Sequence, residues 1–323
     1  MSTGFRRQIR AALTAMVLIV LSGCGGGIPI VSEGKASQGY TDAQNMLIIA
    51  TERNRYQDVY TDQIWKVEVD DEGNTFQNYL LKEIQEFLKK LRTTNLLADE
   101  RGISPTGQEQ ERLNELTDQF YATLTEADLS YTGVTREDVY AMYEAYYRAN
   151  RLVDEVTKEV NLEISDSEAK VITVQEIAVR DEETAQAVYE QVTAEKADFE
   201  AIAKHMSEGK EITKLIGRGE HPMAYEMAVF ELEAGQVSSV LEVGDSYYIV
   251  KCIDDYDEDA TLQRKEKLAL QRKNLAFREI YDTFAAEHPV DIGGTFWEKV
   301  SFAEGEDSTT TGFFDLYQEY MKQ

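Results

Sequence analysis

One stretch constrains the fold more than any other, because within it the hydropathy period switches from two to helical and back in a fixed order. Val171-Ile-Thr-Val-Gln-Glu-Ile-Ala-Val179 alternates with a period of two, which marks a strand. Helical patterns follow over 182–193 and 198–204, and Ile216-Gly-Arg-Gly219 then reads as a loop. A short helix over 224–232 is ended by Ala234-Gly235, and Ser246-Tyr-Tyr-Ile-Val-Lys-Cys-Ile253 closes the stretch as a second strand.

The chain opens with an address. Arg6, Arg7 and Arg10 precede an apolar run over 11–21, about the length of a signal-peptide core and short for a membrane span. Leu21-Ser-Gly-Cys24 is similar to the lipobox of bacterial lipoproteins, in which the cysteine is diacylated and becomes the mature N-terminus. The competing reading is an ordinary secretory signal that contains a cysteine. Residues 1–23 are thus expected to be a lipoprotein signal peptide, with Cys24 lipidated. Gly25-Gly-Gly27 begins a flexible tether over 24–40. The address implies an extracytoplasmic protein held by lipid on the outer face of a bacterial cell membrane.

Charge and cysteine content remove whole classes of function. The 323 residues carry a net charge of -27, which becomes -30 once three arginines leave with the signal. Nothing so acidic neutralises a phosphate backbone, so nucleic acid is excluded as a partner. The same charge repels an anionic bilayer at short range and leaves the lipid as the attachment. It either attracts basic clients or does no more than keep the chain soluble. With Cys24 lipidated, Cys252 stands alone, which rules out a disulfide framework and a thiolate-rich metal site.

From 41 to 165 the apolar residues recur at helical spacing. Thr41-Asp42 caps a first helix carrying Met46, Ile49, Ala50 and Arg53. Ile64-Trp-Lys-Val-Glu-Val-Asp70 reads as a short strand before the turn Asp71-Glu-Gly-Asn74. Phe76, Leu80, Ile84, Phe87, Leu88 and Leu91 form one continuous stripe. A stop at Gly102 and a start at Ser104-Pro105 lead to a helix with Leu113, Leu116, Phe120 and Leu124. Thr135 caps another that carries Val139, Met142, Tyr143, Tyr146 and Val153. Tyr140, Tyr143, Tyr146 and Tyr147 fit either a client-binding face or plain core packing. Far downstream, 261–287 is one long helix with Leu268, Leu275, Ile280, Tyr281 and Phe284 as its apolar residues. A terminal helix at Phe313–Met321 either docks or stays loose.

Asp198-Phe-Glu-Ala-Ile-Ala203, Gly217-Arg-Gly219, Ala228-Val-Phe230, Gly235-Gln-Val-Ser238 and Tyr248-Ile-Val-Lys251, in that order, make 170–255 resemble the parvulin-type peptidyl-prolyl isomerase domain. Leu97-Ala98, Gly102-Ile-Ser104 and Gly133-Val-Thr-Arg-Glu-Asp-Val139, placed between a lipobox and that domain, are similar to the N-terminal chaperone segment of SurA and PrsA-type foldases. The resemblance implies an α+β chain: a discontinuous, all-helical chaperone body over 41–165, joined by a C-terminal helix and tail over 260–323, with a parvulin-like α/β domain inserted. It also implies that the first and last strands of the inserted domain are neighbours in its sheet.

The family's chemistry is changed in this sequence. Where parvulins carry a histidine in the first strand and another in the last, this chain has Glu176 and Tyr248, and His221 and Tyr225 fall where the family's pocket methionine and phenylalanine stand. Lys210-Glu-Ile-Thr-Lys214 replaces a glycine-rich run. Glu176, His221, Tyr225 and Tyr248 are therefore the candidate pocket, with the Tyr248 phenol expected to donate to the Glu176 carboxylate. His205 and His288 read as surface residues, and no metal or cofactor site is expected. By resemblance the chain is a foldase or chaperone that binds unfolded or nascent secreted polypeptides, with weak or absent isomerase activity. The alternatives are an active isomerase with a variant pocket and a non-catalytic cell-surface interaction or assembly protein. A homodimer stays open.

Overall fold

The computed structural model describes residues 37–321, so the expected signal peptide, Cys24 and most of the expected tether lie outside the described residues. The chain divides into two compact units: one comprises the chain up to Val160 and from Asn274 onward, the other runs from Asn161 to Lys273. The fold is α+β, a helical body discontinuous in sequence with an α/β unit inserted.

The helical body contains Asp42–Tyr60, Phe76–Glu100, Gly107–Tyr121, Glu126–Thr132 and Arg136–Thr157. Four of these begin with a reciprocal threonine cap. Thr41, Thr106, Thr125 and Thr135 each accept a backbone N–H from the residue three places on, whose side chain bonds back to the threonine N–H. Each cap is worth about 1 kcal/mol. Thr106 rather than Ser104 starts the third helix, because Glu109 is placed to complete the box.

Asp42–Tyr60 is the axis of the body. Leu47, Ile48, Ile49 and Ala50 are consecutive and all 0% exposed, so this helix is covered on every side rather than along one stripe. Burial continues through polar residues, Thr51, Glu52, Arg53 and Asn54. The strand expected over 64–70 is instead a 3-10 helix, Asp62–Lys66, which turns the adjacent Ile64 and Trp65 both inward. A strand would have sent one of them to solvent.

C-terminal residues pack into this body at two places, a smaller cluster at the long helix and the main core at the terminal helix. Phe277 and Phe284 of the long helix Glu258–Glu287 pack with Leu97, Ala98, Leu152 and Val153. Leu275, expected to face inward, is 66% exposed, and Phe277 takes the buried position. The terminal helix Phe313–Met321 docks: the Phe313 ring stacks on Tyr143 at 4.2 Å, and the Tyr143 hydroxyl donates to the Phe313 carbonyl at 3.1 Å. Tyr143 and Tyr146 are buried, with Tyr140 and Tyr147 packed at the margin, so the tyrosine run is core. Two short strands of this unit, Ser37–Gln38 and Val290–Asp291, pair as a parallel ladder.

The inserted unit is built on a four-stranded antiparallel sheet in the order Thr213–Gly217, Val171–Val179, Ser246–Asp254, Leu241–Val243. The first and last strands are direct neighbours, with Glu176 opposite Val250 and Ala178 opposite Tyr248. One face carries Ile177, Val179 and Ile249 against the helices Glu182–Val192 and Phe199–Met206. The opposite face carries Ile172, Val174 and Val250 against the short helix Met223–Val229. That helix stops at Val229, short of 232, because Leu232 lies in a turn whose N–H bonds to the Val229 carbonyl at 3.3 Å.

Candidate functional site

The candidate residues converge on the second of these faces. Alternation along Val171–Val179 places Glu176 beside Val174 and Ala178, under the helix Met223–Val229. Glu176 is 5% exposed. A buried carboxylate without partners costs several kcal/mol, roughly, so its neighbours decide what it can do.

Both of its oxygens are taken. Lys214 Nζ lies 2.5 Å from Oε1, and the Tyr225 hydroxyl donates to Oε2 at 2.5 Å. Burial, then the bond to Glu176, push the Tyr225 phenol far above its ordinary range, so it stays protonated and donating at any physiological pH. Tyr248 does not make the bond expected of it. It stands opposite Ala178, two residues along from Glu176, and meets Tyr225 edge-on with ring centroids 5.8 Å apart. The phenol that reaches the carboxylate comes from the helix instead. His221 is exposed, its ring 5.0 Å from that of Tyr225, and its backbone N–H donates to Glu226 Oε1 at 2.9 Å.

The turn that presents His221 is fixed by two glycines. Gly217 ends the edge strand against the Arg264 guanidinium, which leaves no room for a side chain there, and Gly219 sits at φ +85°. Residues 213–217 are therefore a strand, and the loop expected from Ile216 onward starts only at Arg218. Arg264 pairs with Glu220 and donates to the Arg218 carbonyl at 2.5 Å, while the Arg218 guanidinium lies 4.4 Å over the Phe230 ring.

Two features escaped sequence reasoning. Lys214 pairs with Val174 across the antiparallel ladder and so shares the face of Glu176, which was visible only once 213–217 was known to be a strand. Met223 and Met227, one turn apart on the outer side of the helix that carries Tyr225, are 78% and 60% exposed. Exposed methionines at i and i+4 form a pliable apolar surface of the kind that accepts varied partners. Among the described residues no group of three His, Cys, Asp or Glu side chains could hold a metal ion.

As chemistry, the site has a carboxylate committed on both oxygens, a phenol committed as donor, and one free imidazole at the rim.

Residues 171–254 match the family model described as the PPIC-type PPIase, or rotamase, domain. The chain is similar to the PrsA-type parvulin foldases. Foldase protein PrsA 3 of Bacillus anthracis is 27% identical over 226 residues, 65% of this chain and 76% of that protein. Foldase protein PrsA of Streptococcus mutans is 28% identical over 166 residues, 46% of this chain and 49% of that protein, so the chain spans about half of that relative's length. Among solved structures, the PrsA peptidylprolyl isomerase of Bacillus cereus is 20% identical over 73% of this chain and 96% of that one, with a TM-score of 0.38. Within the matched residues, Glu176 is held on both oxygens and Tyr248 is half-buried.

Proposed function

We propose that this chain is a lipid-anchored extracytoplasmic folding factor that holds unfolded secreted polypeptides, and that its rotamase-like unit binds chain segments but isomerises prolyl bonds weakly or not at all. In this reading Cys24 carries the lipid, 24–40 is the tether, 41–165 with 260–323 is the chaperone body, and 170–255 is the parvulin-like module.

The observation that carries the reading is the closed Lys214–Glu176–Tyr225 set. Prolyl isomerisation rotates about a bond with a barrier of about 18–20 kcal/mol, and a protein lowers it by binding the twisted amide better than either planar form. That requires donors and an apolar seat left free for the client. Here the donors beside Glu176, the buried Tyr225 and the partly exposed Lys214, are spent on it, while Met223 and Met227 still offer an apolar surface. Binding survives on such a face; differential stabilisation of the twisted state does not.

His221 favours one second reading, an active isomerase with a variant pocket, because its ring is exposed beside Tyr225 and able to donate to a client carbonyl. A protease-coupled assay on a short prolyl peptide separates the two. Turnover near the uncatalysed rate, together with suppressed aggregation of an unfolded secreted protein, supports the first. Turnover like that of a working parvulin, lost in His221→Ala, establishes the second.

A further inference from the structure

The helical body holds a buried cation that the folding role does not use. Arg53, on the central helix, is 2% exposed, and no carboxylate among the described residues lies within ion-pair distance of it. Its Nε donates to the Phe302 carbonyl at 2.9 Å, its Nη1 to Asn54 Oδ1 at 2.6 Å, and its face lies 5.7 Å over the Tyr131 ring. Nη2 is left without an acceptor among the described residues. A buried guanidinium is costly unless its charge is met, and neutral oxygens meet it only in part.

Arg53 lines a cavity of about 800 Å³. Trp65 and Phe302, both buried and in edge contact at 4.6 Å, line the same cavity as its apolar part. The exposed charged side chains of the lining are Asp58, Asp62 and Glu306, with Lys66 as the one exposed cation, and neutral residues complete it. The charge arrangement is therefore polarised, a single positive group in the interior and a mainly acidic rim. A multiply charged anion such as phosphate is repelled by that rim. A ligand with one carboxylate at its end, an apolar group behind it and neutral or basic groups further out fits the interior and the rim together.

We propose that this cavity binds a terminal carboxylate on Arg53, with the adjoining apolar group against Trp65 and Phe302. The carboxylate comes either from the C-terminal residue of a polypeptide or from a free organic acid of the same end-group chemistry. Only the polypeptide source rests on the folding-factor reading.

The test is calorimetric titration of the full chain with acetyl-Ala-Lys-Ala-Leu bearing a free C-terminal carboxyl, with the same peptide as its C-terminal amide, and with N-acetyl-leucine. The free-acid peptide is expected to bind at least roughly tenfold more tightly than the amide, the worth of a charge-assisted bond to a buried guanidinium. Because Arg53 also anchors the chain at Phe302, the variant used is Ala303→Phe, which crowds the cavity from an exposed position. It is expected to remove the preference for the acid while leaving the Tm unchanged. N-acetyl-leucine binding as tightly as the tetrapeptide acid supports the site with a free acid as its ligand. Equal binding of acid and amide, no binding of either acid, or a preference that survives Ala303→Phe overturns it. A failed aggregation assay with an intact acid preference would sink the folding-factor reading and leave this site standing.

Discussion

Each unit buries a charged side chain, and the two solve the resulting problem in opposite ways. In the inserted unit Glu176 is closed off: a lysine takes one oxygen and a tyrosine the other. In the helical body Arg53 is left open, bonded to neutral oxygens and bordering a cavity. A charge fully met by its own fold is structural, whereas a charge met in part has binding capacity left over. By that measure the buried carboxylate of the inserted unit is the quieter of the two, and the helical body holds the unspent group.

The largest effect expected on that contrast comes from Asp128. It is 1% exposed, and its Oδ1 accepts from the Ser308 hydroxyl at 2.8 Å and from the N–H groups of Thr309 and Thr310 at 2.8 and 3.0 Å. Asp128→Ala orphans these donors and frees the segment that carries Phe302, so chemical denaturation should show a loss of about 3 kcal/mol in the helical body. Burial pushes the Asp128 carboxyl up, but the bonds from Thr125, Ser308 and Thr310 outweigh it and leave the pKa below the ordinary range. Its contribution is therefore present above the unfolded value of about 3.9 and fades as the pH falls through the lower folded one. An acid-unfolding midpoint unmoved by Asp128→Asn would contradict this.

Glu176→Ala should cost about 2 kcal/mol in the inserted unit, because the Tyr225 hydroxyl loses its acceptor while Lys214, partly exposed, swings to water. The contrast is sharpened by Glu52, which is 2% exposed with one bond, from Arg55 at 3.3 Å. Burial raises its pKa, so its charge opposes folding above the unfolded value of about 4.3 and not below it. Glu52→Gln should therefore raise stability by about 1 kcal/mol at pH 7 and by nothing at pH 4, read from thermal melts at both. Smallest in stability terms is Met223→Ser with Met227→Ser, within about 0.5 kcal/mol of the parent, yet it should weaken capture of an unfolded client several-fold if that face binds chains.

What could be read from the residues in advance was whatever is decided locally. Thr41 and Thr135 announce their helices because capping involves neighbours in sequence, and the strands over 171–179 and 246–254 show their period directly. Pairing and register are not local. The edge strand Thr213–Gly217 has only five residues and no alternation long enough to register, so Lys214 stayed hidden, and with it the partner of Glu176. Tyr225 rather than Tyr248 supplies the phenol because ladder register sets Tyr248 two residues away. Arg53 follows Met46, Ile49 and Ala50 at helical spacing, which places it on the first helix and says nothing of what covers it. Its burial depends on a segment some 250 residues later, which no periodicity reports.

The most direct measurement is exchange NMR of the cis and trans forms of a short prolyl peptide, with the full chain at substoichiometric concentration. A locked centre gives exchange rates within about twofold of the peptide alone, while line broadening still reports binding. Exchange accelerated by orders of magnitude, and abolished by Glu176→Gln, would mean that the Lys214–Glu176–Tyr225 set is the working site and not its closure.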